Sequence, residues 1–350
     1  MGRADTVTKS YLRRNDIFAD VFNSYVYDGR QVLQSENLHE MDPAEILILE
    51  DHPLGGGENN DRKDTQQRAR DLLKMAEIRE NGEMIYVLLC GIEEQTEIHY
   101  AMPVKNGLYD FLRYSEQVKM IAEEHRKERN RDSDRCKGKE QGKRISSGEF
   151  VSRFYRNDKL VPVITLVLHL GTEKWDGPLS LHDMLTIQDS RVLRFIPEYR
   201  INLIDPAQMA QDDLDKFQTS LREVLGYIKH CGNGAELLQY ARSEKRMQNL
   251  ERDAIAVIAE TTNTKIRIPE EQEETGNMCK GIEELVEAGK TEGRAEGIAE
   301  GIEKGIEKGI EKGEIRMLIS LLKEGDITLS TAARKAGMTE VEFKEKFLVK

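Results

Sequence analysis

Residues 70–95, RDLLKMAEIRENGEMIYVLLCGIEEQ, decide the fold of this chain. Two apolar segments flank Asn81-Gly82, a strong signal for the turn of a β-hairpin. Asp71 stands at the start of the first segment, and Glu93 stands near the end of the second. A hairpin brings these two ends together, and two carboxylates at one place are a way to hold a divalent metal against a phosphodiester.

The length of the turn determines whether the two carboxylates share a face. With a two-residue turn, Asp71 lies opposite Ile92, and Asp71 and Glu93 point to opposite faces. With a three-residue loop, Asp71 lies opposite Gly91, and Glu93 becomes its diagonal neighbour on the same face, roughly 7–8 Å away. Gln95 then shares that face. A metal site therefore requires the longer loop or a compensating bulge; the alternative is a hairpin end with ordinary surface charges.

The composition limits the class of protein. The chain has 350 residues, 38% hydrophobic and 33% charged, which allows one large domain or two smaller ones. No run reaches the ~20 apolar residues of a membrane helix, no signal peptide is evident, and four widely separated cysteines form no CxxC pair. These features predict a cytoplasmic protein. The net charge of −12 argues against indiscriminate nucleic-acid binding, but it does not exclude a nuclease, whose metal site is built from acids.

Apolar periodicity gives a coarse order of elements. Helical spacing predicts helices, continuous β-branched runs predict buried strands, and an acidic, glycine-containing segment predicts a loop. The predicted helices cover 9–26 and 104–125, the strands beyond the hairpin cover 161–170 and 199–204, and the loop covers 36–64.

Changes in composition divide the chain further. The predicted parts are a core at 1–207 with a flexible charged insertion at 126–148, a helical region at 208–290, a spacer at 291–313 and a small helical segment at 314–350. The spacer repeats glycine every fourth residue, which makes a marginal helix because each glycine costs up to ~1 kcal/mol. In the last segment, Thr339 and Glu342 form a capping-box pattern, and residues 329–339 resemble a helix-turn-helix.

Five segments occur in the order found in a known family. The chain resembles the Rpn-type recombination-promoting nucleases, which are grouped with the PD-(D/E)XK nuclease family putative transposases. The resemblance rests on Asn15–Asn23, Arg70-Asp71, Gly91–Thr96, Tyr109-Asp110 with Tyr114–Gln117, and Pro162–Leu168. It covers nearly the whole chain and is most specific over 10–204.

The resemblance implies an α/β, restriction-endonuclease-like (PD-(D/E)XK) core with a mixed central sheet flanked by helices, followed by a helical C-terminal region. It implies a DNA endonuclease that depends on Mg²⁺ or Mn²⁺. Asp71 and Glu93 would hold the metal together with the backbone carbonyl of Glu94. Asp16 would act in the outer sphere, and Gln95 would position the attacking water or the phosphate.

The chain departs from the family pattern at position 95, where Gln replaces the usual Lys. A lysine there helps to activate the nucleophile and offsets developing negative charge, whereas Gln carries no charge. Gln is familiar in the Rpn-type subgroup. Lys105, at the start of the following helix, is the predicted source of the missing positive charge.

Three functions remain open at this point. The first is a metal-dependent DNA endonuclease, associated with recombination or mobile elements. The second is a catalytically degenerate nuclease fold that binds DNA or a protein partner through residues 126–147 or the C-terminal helices. The third is a scaffold that forms homo-oligomers through residues 280–313.

Overall fold

A five-stranded mixed sheet forms the centre of the protein. The structure is a computed structural model that describes residues 3–42, 44–49, 64–69, 71–135 and 145–348. Its strands are β1 (Leu38–Glu40), β2 (Ala44–Leu49), β3 (Asp64–Ala69), β4 (Leu72–Glu80), β5 (Glu83–Gln95), β6 (Val163–His169), β7 (Asn202–Ile204), β8 (Leu250–Glu251) and β9 (Thr275–Gly276). The central sheet has the order β1-β4-β5-β6-β7. Its first two pairings are antiparallel and its last two are parallel, so the predicted α/β class with a mixed central sheet is confirmed.

The turn between β4 and β5 has two residues. Asn81 and Gly82 adopt positive φ angles of 50° and 85°, as a type I′ turn requires. Glu80 consequently pairs with Glu83. Taken alone, this turn is the shorter of the two alternatives and would leave Asp71 opposite Ile92.

A β-bulge corrects the register three residues from the turn. Ile78 pairs with Tyr86, but Arg79 pairs with Met84, so Ile85 is the extra residue on β5. Beyond the bulge Leu72 pairs with Ile92. Continuing this ladder by one step would set Asp71, the residue before β4, opposite Glu93. The hairpin thus combines a short turn with a compensating bulge.

The helices surround this sheet and continue beyond it. They are α1 (Arg3–Arg13), α2 (Asn15–Tyr25), α3 (Met102–Arg135), α4 (Ser147–Ser152), α5 (Ser190–Leu193), α6 (Gln211–Leu214), α7 (Leu221–His230), α8 (Gly234–Ser243), α9 (Arg252–Thr261), α10 (Met278–Glu324), α11 (Leu329–Lys335) and α12 (Glu340–Phe347). Helix α1 packs on β5 and α9, and α3 packs on β6. Helices α1 and α3 therefore contact neighbouring strands of the sheet.

The helix predicted over 9–26 is broken at Arg14, whose backbone is extended at φ −58° and ψ 132°. Lys74 of β4 accounts for the break. Its buried ammonium donates to the carbonyl of Arg13 (2.6 Å) and to Oδ1 of Asn15 (2.5 Å). One lysine thereby satisfies the end of α1 and holds the start of α2 against the sheet.

The helices after residue 208 contact the first two helices directly. Asp20 is 2% exposed, and its carboxylate accepts hydrogen bonds from the backbone amides of Gln218 (3.0 Å) and Thr219 (2.8 Å), just before α7. The Tyr11 hydroxyl lies 2.8 Å from the Ser220 hydroxyl. These buried polar contacts connect parts of the chain that are about two hundred residues apart, and they fix α1 and α2 in place.

Two compact units result, Met1–Ile282 and Glu283–Lys350. The predicted charged insertion at 126–148 begins as helix, because α3 runs on to Arg135; residues 136–144 of that prediction lie outside the described residues. Part of the predicted loop over 36–64 is strand, since β1 and β2 fall within it, and β2 pairs with β3; residues 50–63 are also outside the described ranges.

The second unit has its own apolar cluster. Leu318, Ala332, Ala333 and Phe343 are its buried members. The Thr339 hydroxyl and the Glu342 carboxylate complete the predicted capping box of α12. Among the helices of the described ranges, none is both long enough and apolar enough to cross a membrane.

Candidate active site

Asp71 lies at the end of the hairpin and is held by the neighbouring strand. Its Oδ2 accepts a hydrogen bond from the backbone amide of Glu94 at 2.9 Å. Asp71 is only 16% exposed at its side chain. Asp71 directly precedes β4, whose terminal pair with β5 joins Leu72 to Ile92, so Asp71 and Glu93 lie at the same end of the hairpin.

Glu93 is completely buried, and Lys105 neutralises it. The Lys105 Nζ lies 2.7 Å from Glu93 Oε2. Burial lowers the pKa of Lys105, but the attraction of the Glu93 carboxylate and the hydrogen bond to it raise that pKa above its ordinary value. The Glu93 carboxylate therefore stabilises the charged form of Lys105. The structure therefore places Lys105 next to Glu93, and its role as the missing positive charge stays a prediction.

Glu94 is a second buried carboxyl at the same strand end. Successive side chains of β5 alternate between faces, and the charges that act on Glu94 include Asp71 and two residues of α1, Asp5 and Lys9. Within the described part of the chain, Glu94 Oε1 is buried and has no hydrogen-bond partner. Burial, together with repulsion from Asp71 and Asp5, raises the pKa of Glu94 to about 8.

Sequence reasoning did not identify Lys9. This α1 residue sits between two carboxylates, with its Nζ 2.8 Å from Asp71 Oδ1 and 2.7 Å from Asp5 Oδ1. Burial lowers the pKa of Lys9, and the hydrogen bonds to Asp5 and Asp71 raise it, with a net increase. The i,i+4 spacing of Asp5 and Lys9 was readable from the sequence, but the approach of α1 to Asp71 depends on tertiary packing.

Gln95 turns back onto its own strand. Its Nε2 donates to the carbonyl oxygen of Glu94 at 2.6 Å, which is the backbone oxygen expected to bind metal. The backbone carbonyl of Gln95 accepts from the amide of Leu170 at 2.8 Å, and His169 Nδ1 lies 3.2 Å from it. The His169 side chain is 1% exposed.

Asp16 belongs to a different group of charges. Arg14 donates to both of its carboxylate oxygens, at 3.2 and 2.7 Å, and also pairs with Glu251 at 2.6 Å. The Asp16 side chain is 46% exposed. The structure thus brings together Asp71, Glu93 and the two residues after Glu93, while it groups Asp16 with Arg14.

The donor set at the strand end suits a hard divalent cation. Two carboxylates and a backbone carbonyl are oxygen ligands, and Mg²⁺ is usually held by one or two carboxylates together with waters and substrate phosphates. No three His, Cys, Asp or Glu side chains converge as a metal centre in the ranges described. The oxygen donors at this strand end that could bind an ion are the carboxylates of Asp71 and Glu93 and the carbonyl of Glu94.

Comparisons with known proteins bear on a different part of the chain. Residues 150–254 match the family model described as "Putative transposase, YhgA-like". This segment includes β6, β7 and α7 but none of the acids around Asp71. Searches of curated proteins and of solved structures found no match. Over residues 150–254 the chain is therefore similar to the YhgA-like putative transposases, which confirms the resemblance seen in the sequence.

Proposed function

We propose that this protein is a DNA endonuclease that depends on Mg²⁺ or Mn²⁺, with a PD-(D/E)XK-type core. The observation that carries the proposal is the register of the hairpin, which pairs Leu72 with Ile92 and so brings Asp71 to the strand end that carries Glu93. The bulge at Ile85 supports it further, because bulges are frequent next to active sites, where they redirect side chains. The similarity to putative transposases supports DNA as the partner and an association with mobile elements.

In this proposal each residue has a defined part. Asp71 and Glu93, with the Glu94 carbonyl, hold the ion beside the scissile phosphate. When bound, such an ion supplies charge stabilisation and a water of lowered pKa. The Gln95 amide orients the water or a phosphate oxygen after leaving the Glu94 carbonyl. Lys105, close to Glu93 at 2.7 Å, provides the positive charge that Gln95 lacks.

A degenerate core that only binds DNA is the second candidate. It is favoured by one feature of the geometry: Gln95 donates to the very carbonyl that would bind metal. In that case the protein would still bind DNA after a chelator removes divalent ions, and substitution of the acids at the hairpin end would change no cleavage activity.

Nicking of supercoiled plasmid with Mg²⁺ separates the two candidates. The wild-type protein is compared with Asp71→Asn, which keeps the shape of the side chain but weakens metal binding. Asp212→Asn is the matched control, because Asp212 is exposed on α6. We expect chelator-sensitive nicking that Asp71→Asn lowers at least about a hundredfold and that the control retains. Equal nicking by all three proteins, or none by the wild type, would reject the endonuclease.

A further inference from the structure

Two ammonium groups flank the proposed site, and only one has a role so far. Lys105 pairs with Glu93, whereas Lys9 pairs with Asp71 at 2.8 Å. The two lysines belong to α1 and α3, which precede and follow the hairpin. Each proposed metal-binding carboxylate is thus in contact with one cation of its own.

The backbone around Lys9 is firmly anchored. Thr8 and Leu12, its neighbours on α1, are both 0% exposed, and Tyr11 is 2% exposed with its hydroxyl 2.8 Å from that of Ser220. The Lys9 side chain itself keeps 21% exposure. Because the helix backbone is already fixed and the Lys9 side chain is largely buried, holding Lys9 against its partner costs little additional conformational entropy.

Asp5 completes the arrangement. Its Oδ1 lies 2.7 Å from Lys9 Nζ, so the ammonium is held from one side by Asp5 and reaches Asp71 on the other. Asp71 in turn accepts from the Glu94 amide through its second oxygen. Each carboxylate oxygen of Asp71 therefore has a partner, Lys9 for one and the Glu94 amide for the other. The orientation of this carboxylate depends on Lys9 as well as on the strand.

We propose that Lys9 is a positioning residue, which orients Asp71 and supplies positive charge next to it, in addition to the charge that Lys105 supplies beside Glu93. This inference rests on the proposed function. A neutral Gln95 whose amide contacts the Glu94 carbonyl leaves the site without a cation from β5 itself. Lys9 places a positive charge beside Asp71 from helix α1, not from β5.

A cation in this position has two opposite effects. It repels a divalent ion that approaches Asp71, and it stabilises the negative charge that develops on the phosphate during cleavage. Removal of the charge should therefore tighten ion binding by about three- to tenfold and slow cleavage by about tenfold or more. A merely structural role predicts instead that binding and cleavage weaken together.

The test compares Lys9→Met, which keeps the aliphatic stem, with Lys9→Arg, which keeps the charge. Lys174→Met is the matched control, since Lys174 is an exposed lysine and the charge change is the same. Mn²⁺ affinity is measured without DNA by electron paramagnetic resonance, and turnover is measured by plasmid nicking. If Lys9→Met does not fold, Lys9→Gln takes its place.

The expected result is tighter Mn²⁺ binding with slower nicking in Lys9→Met, return of both towards wild type in Lys9→Arg, and no change in the control. A Lys9→Met protein with unchanged affinity or unchanged turnover overturns the inference alone, as does a Lys9→Arg protein that nicks no faster than Lys9→Met. A wild-type protein that neither binds Mn²⁺ nor nicks DNA overturns the proposed function and this inference with it.

Discussion

Replacement of Glu94 by Gln should change how stability depends on pH. Glu94 is 6% exposed, its Oε1 is buried without a hydrogen-bond partner in the described structure, and burial together with Asp71 raises its pKa to about 8. The folded protein therefore prefers the protonated form of this carboxyl. Glutamine has nearly the same shape and never ionises, so the substitution removes the titration and little else.

The direction in which stability changes with pH follows from the number of protons that the folded and unfolded states bind. Between the ordinary pKa of 4.5 and the folded value of about 8, the unfolded chain releases the proton and the folded chain keeps it. Stability then falls as pH rises, by about 1.4 kcal/mol per pH unit for one group. Across the window the loss is on the order of 3 to 5 kcal/mol. Glu94→Gln should match wild type near pH 5 and exceed it by that amount near pH 8.

Urea unfolding in EDTA at pH 5, 6, 7 and 8 measures this difference. The only tryptophan, Trp175, is 3% exposed, so its fluorescence reports unfolding of the unit that contains the site. Glu83→Gln is the control, because Glu83 is an exposed glutamate on the same strand. Parallel pH curves for wild type and Glu94→Gln would refute the reasoning.

Three further substitutions test other contacts by the same unfolding measurement. Lys105→Met should destabilise the fold by about 3 to 5 kcal/mol, because it leaves the fully buried Glu93 without its ammonium partner. Adding Glu93→Gln to this variant should restore most of the lost stability. A double variant that is no more stable than Lys105→Met would contradict the pairing. Asp20→Asn should cost about 2 kcal/mol through weaker hydrogen bonds before α7, and an unchanged midpoint would argue against that role. Gly226→Ala should cost about 2 kcal/mol or more, since its Cβ would lie 1.9 Å from the Tyr240 hydroxyl oxygen; unchanged stability would show that the tyrosine moves aside freely.

The sequence predicted the hairpin well because turn chemistry is local. Asn81-Gly82 selects positive φ at two consecutive residues, and few other structures allow that. From the sequence, the bulge could be stated only as one of two conditions that a metal site would require. Ile85 carries no signal that distinguishes it from its neighbours, since its displacement depends on how two strands pair.

Other parts of the site depend on packing between distant segments. Lys105 was predictable from its place at the start of the next helix. Lys9 was not, because its contact with Asp71 requires α1 to pack on β5. Asp16 and Asp20 look alike on one predicted helix, yet Asp16 pairs with Arg14 and Asp20 is buried before α7. Helical periodicity shows which face is apolar but not which partner reaches each acid.

The bulge at Ile85 imposes a parity rule on this hairpin. Side chains alternate with a period of two, so inserting or deleting one residue between Asp71 and Glu93 moves one carboxylate to the other face. Two such changes restore the site, as the short turn and the bulge together already do. Related chains should therefore vary in hairpin length by even numbers, or by an odd number accompanied by a gained or lost bulge. Alignments that penalise every gap alike would miss this rule.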